Sequence, residues 1–271
     1  MKPNEAQYHL GYSDEEHERL IRQAKRLAPV SERFFREAGV DTGQAILDVG
    51  SGVGDVAMLA ARIVGPSGSV VAVERDERSI ERARQRAARE GLTNITFVHA
   101  EIDDYAPDSI FDAAIGRYVL QFLPRPAVTL RALAARVRPG GIVAFQEGSW
   151  IPFVALSAHV PLWSATVEVL REAAVRAGVD VEMGVRLHAI FQEAGLPAPR
   201  MRLEMELGDD PDFTRWLSDC IRSVLPQIRR FDLRCEALGD LDTLERRLHE
   251  EVSASNSVVP WIGLVGAWSK A

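Results

Sequence analysis

Ala45-Ile46-Leu47-Asp48-Val49-Gly50-Ser51-Gly52-Val53-Gly54-Asp55 runs from an apolar stretch through an acid into three alternate glycines. Apolar residues ahead of the glycines fit a buried parallel strand, and Val56 to Val64 behind them fit a helix stopped by Gly65-Pro66. Glycines at a strand-to-helix turn let the backbone come close to a ligand and aim amide hydrogens at it. The stretch therefore predicts an α/β frame with a nucleotide-cofactor loop.

The loop departs from the dinucleotide fingerprint. That pattern is GxGxxG, whereas this chain has Gly50-x-Gly52-x-Gly54 with Asp55 where the last glycine should stand. Asp48, two residues ahead of the first glycine, would repel a pyrophosphate and suits a ligand carrying positive charge. A nicotinamide-dependent oxidoreductase is disfavoured further by the lack of a plausible Tyr-x-x-x-Lys hydride-transfer motif.

Strand patterns continue in step on the C-terminal side. Ser69 to Asp76 reads as a strand ending in acids, Asn94 to Ala100 as a third strand followed by Glu101-Ile102-Asp103-Asp104, and Phe111 to Gly116 as a fourth. A helix then ends at Arg138-Pro139-Gly140-Gly141, which opens a fifth strand, Ile142 to Glu147. From about residue 40 to residue 147 this order resembles the class I S-adenosylmethionine-dependent methyltransferases, in the ubiquinone/menaquinone C-methyltransferase-like, small-molecule branch.

The resemblance implies a doubly wound, seven-stranded, mostly parallel sheet of Rossmann-like form, with N-terminal helices and a helical lid. It implies S-adenosyl-L-methionine as the cofactor. Glu74 is placed to accept the ribose hydroxyls, Glu101 faces the adenine amino group, and Ile102 offers its amide to the ring. Asp48, Gly50, Ser51, Gly52, Gly54 and Arg75 complete the cofactor loops. Arg117 is expected either to pair with the methionine carboxylate or to bridge Asp112 or Asp55, and Tyr8 or Tyr12 to lid the methionine end. The motif used on amide or adenine nitrogens is replaced by Gly116-Arg117-Tyr118-Val119, which leaves carbon and oxygen acceptors open. Tyr118, Glu147 and Trp150 are the candidate acceptor residues, because ligands of open α/β sheets lie beyond the carboxyl ends of the strands. His159 is the candidate general base. A non-methylating rearrangement of a metabolite, or binding without turnover, is the alternative reading.

Outside the core, Ser13-Asp14-Glu15-Glu16 is a capping-box signal for a helix to about Leu27, with a second short helix from Ser31 towards Gly39. Helical patterns follow from Leu162 to Arg176 and from Gly184 to Ala194, then a half-buried strand from Arg200 to Leu207 and a last strand from Val258 to Trp268. The expected division is an N-terminal cap over 1–40, a cofactor core over 41–207, a helical lid over 208–257 and a final core strand over 258–271. Phe213, Trp216, Leu217, Ile221 and Leu225 are the apolar lid residues.

The chain has 271 residues, 46% hydrophobic and 26% charged, enough for one α/β domain with an insertion. A net charge of -7 argues against a nucleic-acid surface, and the alternating charges from Arg75 to Arg89 read as a solvated helix. Two cysteines without metal-type spacing point to no metal and to a reduced compartment. No apolar run approaches a bilayer span and the start lacks a signal-peptide core, so a cytoplasmic protein is expected. A homo-oligomer through the N-terminal segment is the expected assembly.

Overall fold

The computed structural model describes residues 11–105 and 109–271. Its centre is a seven-stranded sheet built from β1 (Ala45–Val49), β2 (Ser69–Glu74), β3 (Ile95–His99), β4 (Phe111–Arg117), β5 (Val137–Ser149), β6 (Arg200–Glu204) and β9 (Gly263–Lys270). A separate two-stranded ladder joins β7 (Leu207–Gly208) to β8 (Val259–Pro260). The large sheet has the order β3-β2-β1-β4-β5-β9-β6. Strands β1 to β5 pair in parallel, and β9 enters antiparallel between β5 and β6.

Side chains alternate across the strands, so Ile46 and Leu47 serve opposite faces. Ile46 belongs to a layer with α1 (Asp14–Ala38), α2 (Asp55–Val64) and α3 (Glu77–Arg89). Leu47 belongs to a layer with α4 (Pro126–Ala134) and α7 (Met183–Glu193). A third apolar cluster lies beyond the sheet and unites α5 (Trp150–Ser157), α6 (Pro161–Arg176), α8 (Pro211–Arg230) and α9 (Leu244–Ala254) with Leu27 and Val30 of α1. The helices α8 and α9, in the segment 208–257, thus pack on α5 and α6, and the cap over the sheet draws on chain both before and after α7.

Three sequence expectations are corrected. The two short N-terminal helices are one 25-residue helix, α1, which runs through Pro29. Proline lacks an N–H and should interrupt the ladder, but Ala24 and Leu27 before it and Val30, Phe34, Phe35 and Ala38 after it bury one continuous stripe. The strand read over Arg200 to Leu207 divides into β6 and β7, and it is an edge: Met201 and Leu203 are exposed rather than half-buried. The last strand likewise divides, into β8 and β9.

Candidate functional site

The glycine loop leaves the carboxyl end of β1 and turns into α2. Gly50 holds a φ of 63°, and a Cβ there would lie 2.8 Å from Val119 Cγ2, so only glycine fits. Gly52 holds a φ of 52° with nothing within 4 Å of a Cβ position: it faces open space. Glu74, at the end of β2, ties this loop down. Its Oε2 accepts the Gly52 amide at 2.8 Å, and its Oε1 accepts the amides of Arg75 and Asp76, each at 2.9 Å. Burial pushes the Glu74 carboxyl above its usual range, against the pull of those three amides.

Gly50, Ser51, Gly52 and Glu74 form one end of a cavity of about 280 Å³. Arg75, Glu101, Ile102, Tyr12 and Arg117 line the same cavity. Arg75 Nε donates to the Tyr12 hydroxyl at 3.0 Å, which brings the start of α1 over the loop that follows β2. Tyr8 lies outside the described residues. Gly54 caps α2 and, like Asp48, does not line the cavity.

Asp48 is 1% exposed, and neither of its carboxylate oxygens has a hydrogen-bond partner at normal geometry. Burial holds this carboxyl well above the usual range, and the charge of Arg117 offsets part of that effect. Arg117 Nη1 donates to Ser31 Oγ at 2.8 Å, and Ser31 in turn donates to Gln146 Oε1 at 2.7 Å. The bridges anticipated for Arg117 go elsewhere. Asp112 pairs with Arg138 at 2.6 Å and Asp55 with Arg86 at 2.7 Å. Arg117 is held electrostatically between Asp48 and Asp55, and its own pKa is lowered by burial.

Beyond Arg117 the cavity continues under the cap. Tyr118 and Trp150 line it, as do Gln121, Leu170, Trp216 and Cys220. Tyr118 holds a φ of 57°, an unusual conformation for an aromatic residue, and its buried hydroxyl has no hydrogen-bond partner. Burial raises its phenol pKa, so the group is neutral. Of the apolar lid residues, Trp216 reaches the cavity, while Phe213, Leu217 and Ile221 are enclosed in the cap core and Leu225 packs against it.

Two expectations are displaced. Glu147 is fully buried outside the cavity and accepts the amides of Val119 at 2.9 Å, Leu120 at 2.8 Å and Gln121 at 3.4 Å. Its carboxyl is pushed up to about 7 by burial. It therefore shapes the turn that carries Tyr118 and Gln121 instead of meeting the acceptor. His159 is exposed and also outside the cavity, with Nε2 engaged by Ser257 Oγ at 3.0 Å and the Val258 carbonyl at 3.1 Å. Helix α5 carries the chain away from the strand ends before His159 is reached.

Sequence reasoning missed Arg19 and Gln23, which project from α1 into the cavity. Their signal was available: Glu16, Arg19 and Gln23 fall on the same helical stripe as Leu20, Ala24 and Leu27, where polar residues need a reason. No cluster of potential metal ligands occurs among the described residues, and no described helix is long and apolar enough to cross a membrane.

Comparison with known proteins places this geometry. A methyltransferase-domain family model matches residues 40–195. The ubiquinone/menaquinone biosynthesis C-methyltransferase of Pseudomonas putida is 32% identical over 120 residues, covering 43% of this chain and 47% of that protein. The chain thus spans about half the length of that curated relative. Among solved structures, the YcgJ protein from Bacillus subtilis superposes with a TM-score of 0.56 at 14% identity, over 91% of this chain and 99% of that one. The [4+2]-cyclase SpnF superposes with a TM-score of 0.54 at 17% identity, over 90% and 80%. Both share the fold.

Proposed function

The chain belongs to the methyltransferase-domain family, and on that premise we propose that it transfers a methyl group from S-adenosylmethionine to an oxygen or carbon atom of a small-molecule acceptor. The observation that carries the reading is the open Gly52 loop, clamped by Glu74 at one end of a cavity whose other end lies under a helical cap. The residues present fit the cofactor. Gly52 leaves space where a side chain would stand, Ser51 Oγ is buried without a partner, and acids and arginines share the lining, as a ligand with both an ammonium and a carboxylate requires.

S-adenosylmethionine, when bound, supplies a methyl group on a sulfonium with a neutral thioether as leaving group. Glu74 would hold the ribose hydroxyls while keeping the loop in place, Glu101 and Ile102 the adenine, and Arg117 with Tyr12 the methionine end. Asp48 and Gly54 support the loop from behind. On the acceptor side, Tyr118 and Trp150 would fix the ring or chain that brings the nucleophile in line. Orientation in a closed, dry space can contribute about 7–11 kcal/mol. Segment 208–257 would act as the lid over that space, and Glu147 would act through the turn it anchors. The relative from Pseudomonas putida is named for C-methylation in quinone biosynthesis, which supports testing quinols first.

A homo-oligomer through the N-terminal segment and a cytoplasmic location belong to the same proposal. The former rests on the reach of an extended N-terminal segment, and the free thiols Cys220 and Cys235 support the latter.

Calorimetric titration with S-adenosylmethionine and its demethylated product tests the reading. Micromolar binding is expected, weakened at least tenfold by Glu74→Ala, followed by release of demethylated cofactor with quinols or phenols. Absence of binding to either form would overturn the cofactor assignment. Binding with the cofactor recovered intact after incubation with the true ligand would favour the rearrangement reading.

A further inference from the structure

The stretch Arg200-Met201-Arg202-Leu203-Glu204-Met205-Glu206 is self-complementary about Leu203: each arginine is answered by a glutamate at the same distance on the other side, and Met201 by Met205. Its first five residues form β6, the outermost strand of the large sheet, with β9 on one side and no described strand on the other. Proteins blunt such an edge with lysines, a proline or a bulge. Arg200 to Glu204 contains neither residue type, and its ladder to β9 runs without a break in register.

Successive side chains of β6 serve opposite faces. Arg202 and Glu204 lie on the face of α1, where Arg202 meets Glu37 at 2.6 Å and Glu204 pairs with Arg33. Leu203 lies on the other face, close to Pro152 of α5. A Cβ on Gly263 would stand 3.0 Å from Leu203 Cδ1 and 3.3 Å from Pro152 Cγ. Met201, Leu203 and Ile151, the neighbour of Pro152, are all exposed. The edge thus carries charges of both signs on one face and an uncovered apolar group on the other.

In an antiparallel pair of identical strands, residues equally far from the two-fold axis face each other, and opposite charges stabilise such a pair while like charges oppose it. With the axis at Leu203, Arg202 of each copy faces Glu204 of the other, and two Leu203 side chains meet on the opposite face. With the axis at Arg202, two arginines would face each other. The first register also joins the existing pairs into one alternating row, Glu37 and Arg202 of one copy followed by Glu204 and Arg33 of the next.

We propose that β6 is a self-association edge, on which two copies of this chain pair antiparallel about a two-fold axis at Leu203 and join their sheets into one. The contact uses the C-terminal end of α1 and not the segment before Ser13, and it is independent of how the cavity is read. A contact built mainly from one short strand is small, so the dimer is reversible and of micromolar strength.

Sedimentation velocity on the full chain, from low micromolar to several hundred micromolar, tests the proposal. A reversible monomer–dimer equilibrium is expected. Leu203→Glu sets two carboxylates on the axis and should weaken dimerisation at least tenfold without changing Tm, since the side chain is exposed. Glu204→Arg and Arg202→Glu should each be monomeric alone, and an equimolar mixture of the two should dimerise, because one brings only bases and the other only acids to the facing positions. The ion pairs these two variants lose to Arg33 and Glu37 are solvent-exposed and contribute little to the fold. A monomer at every concentration would overturn the proposal. So would a dimer that Leu203→Glu leaves intact, which would belong to another surface such as the N-terminal segment, or a mixture that associates no better than its components.

Discussion

Gly52 separates loop stability from ligand binding at the level of one methyl group. Its φ of 52° makes any L side chain strained, by about 1–2 kcal/mol, but the position is open, so alanine meets nothing in the protein. Gly52→Ala should lower Tm by only a few degrees in a chain of this size and weaken cofactor binding at least tenfold, as read by calorimetry. Glu147 gives a different signature. Its carboxyl titrates near 7 in the folded protein against a reference of 4.5, so the native state holds the proton more tightly than the unfolded chain. Its contribution to stability is fully present below about 4.5, falls as pH rises towards 7, and is flat above. The difference in Tm between the unaltered protein and Glu147→Gln should follow that course; a pH-independent difference would refute it.

Helix α1 shows what element-scale patterning conveys and what it hides. The cap at Ser13 and the stop at Gly39 are legible, and both are used: the Glu16 amide donates to Ser13 Oγ at 3.2 Å and Gly39 takes a φ of 105°. Pro29 is legible too, and misleads, because local propensity cannot register the stripe that both halves of α1 bury against the sheet and α8. Pro29 is exposed, so Pro29→Ala should restore a ladder bond without loss of packing and stabilise the protein by about 1–2 kcal/mol, measured by thermal unfolding. The edge strand β6 hides its nature for a related reason. Its alternation of Met201, Arg202, Leu203 and Glu204 is that of a strand with one buried face, yet Leu203 is 53% exposed. Alternation reports a strand's geometry and says nothing about its neighbours.

Across the whole molecule, the grouping of Gly50, Ser51, Gly52, Glu74 and Glu101 around one cavity was readable because these residues follow strand ends in a fixed order. Glu74 ends β2 and Glu101 follows β3 after Ala100, and topology then brings them together. The half under the cap was readable only in part: Tyr118, Trp150 and Trp216 stand out in the sequence, whereas Arg19 and Gln23 reach the cavity from α1 through packing that local pattern does not convey. The same contrast should appear in dynamics. Amides of β1, β4 and β5 lie in the centre of the sheet and should exchange slowest with deuterium, while α8 and α9 exchange sooner. Cofactor should then slow exchange in residues 50–54 and at the start of α1, and an effect confined to α9 would contradict the assigned site.

The position of β9 has a consequence for biosynthesis. This strand fills the gap between β5 and β6 although α5 to α9 all precede it in the chain. While those helices are being made, one side of β5 presents unpaired backbone along an apolar strand, a template for pairing with a neighbouring nascent chain. Slow translation through the cap would prolong that exposure, and the yield of folded protein should therefore respond to chaperone supply and growth temperature more than its finished stability suggests.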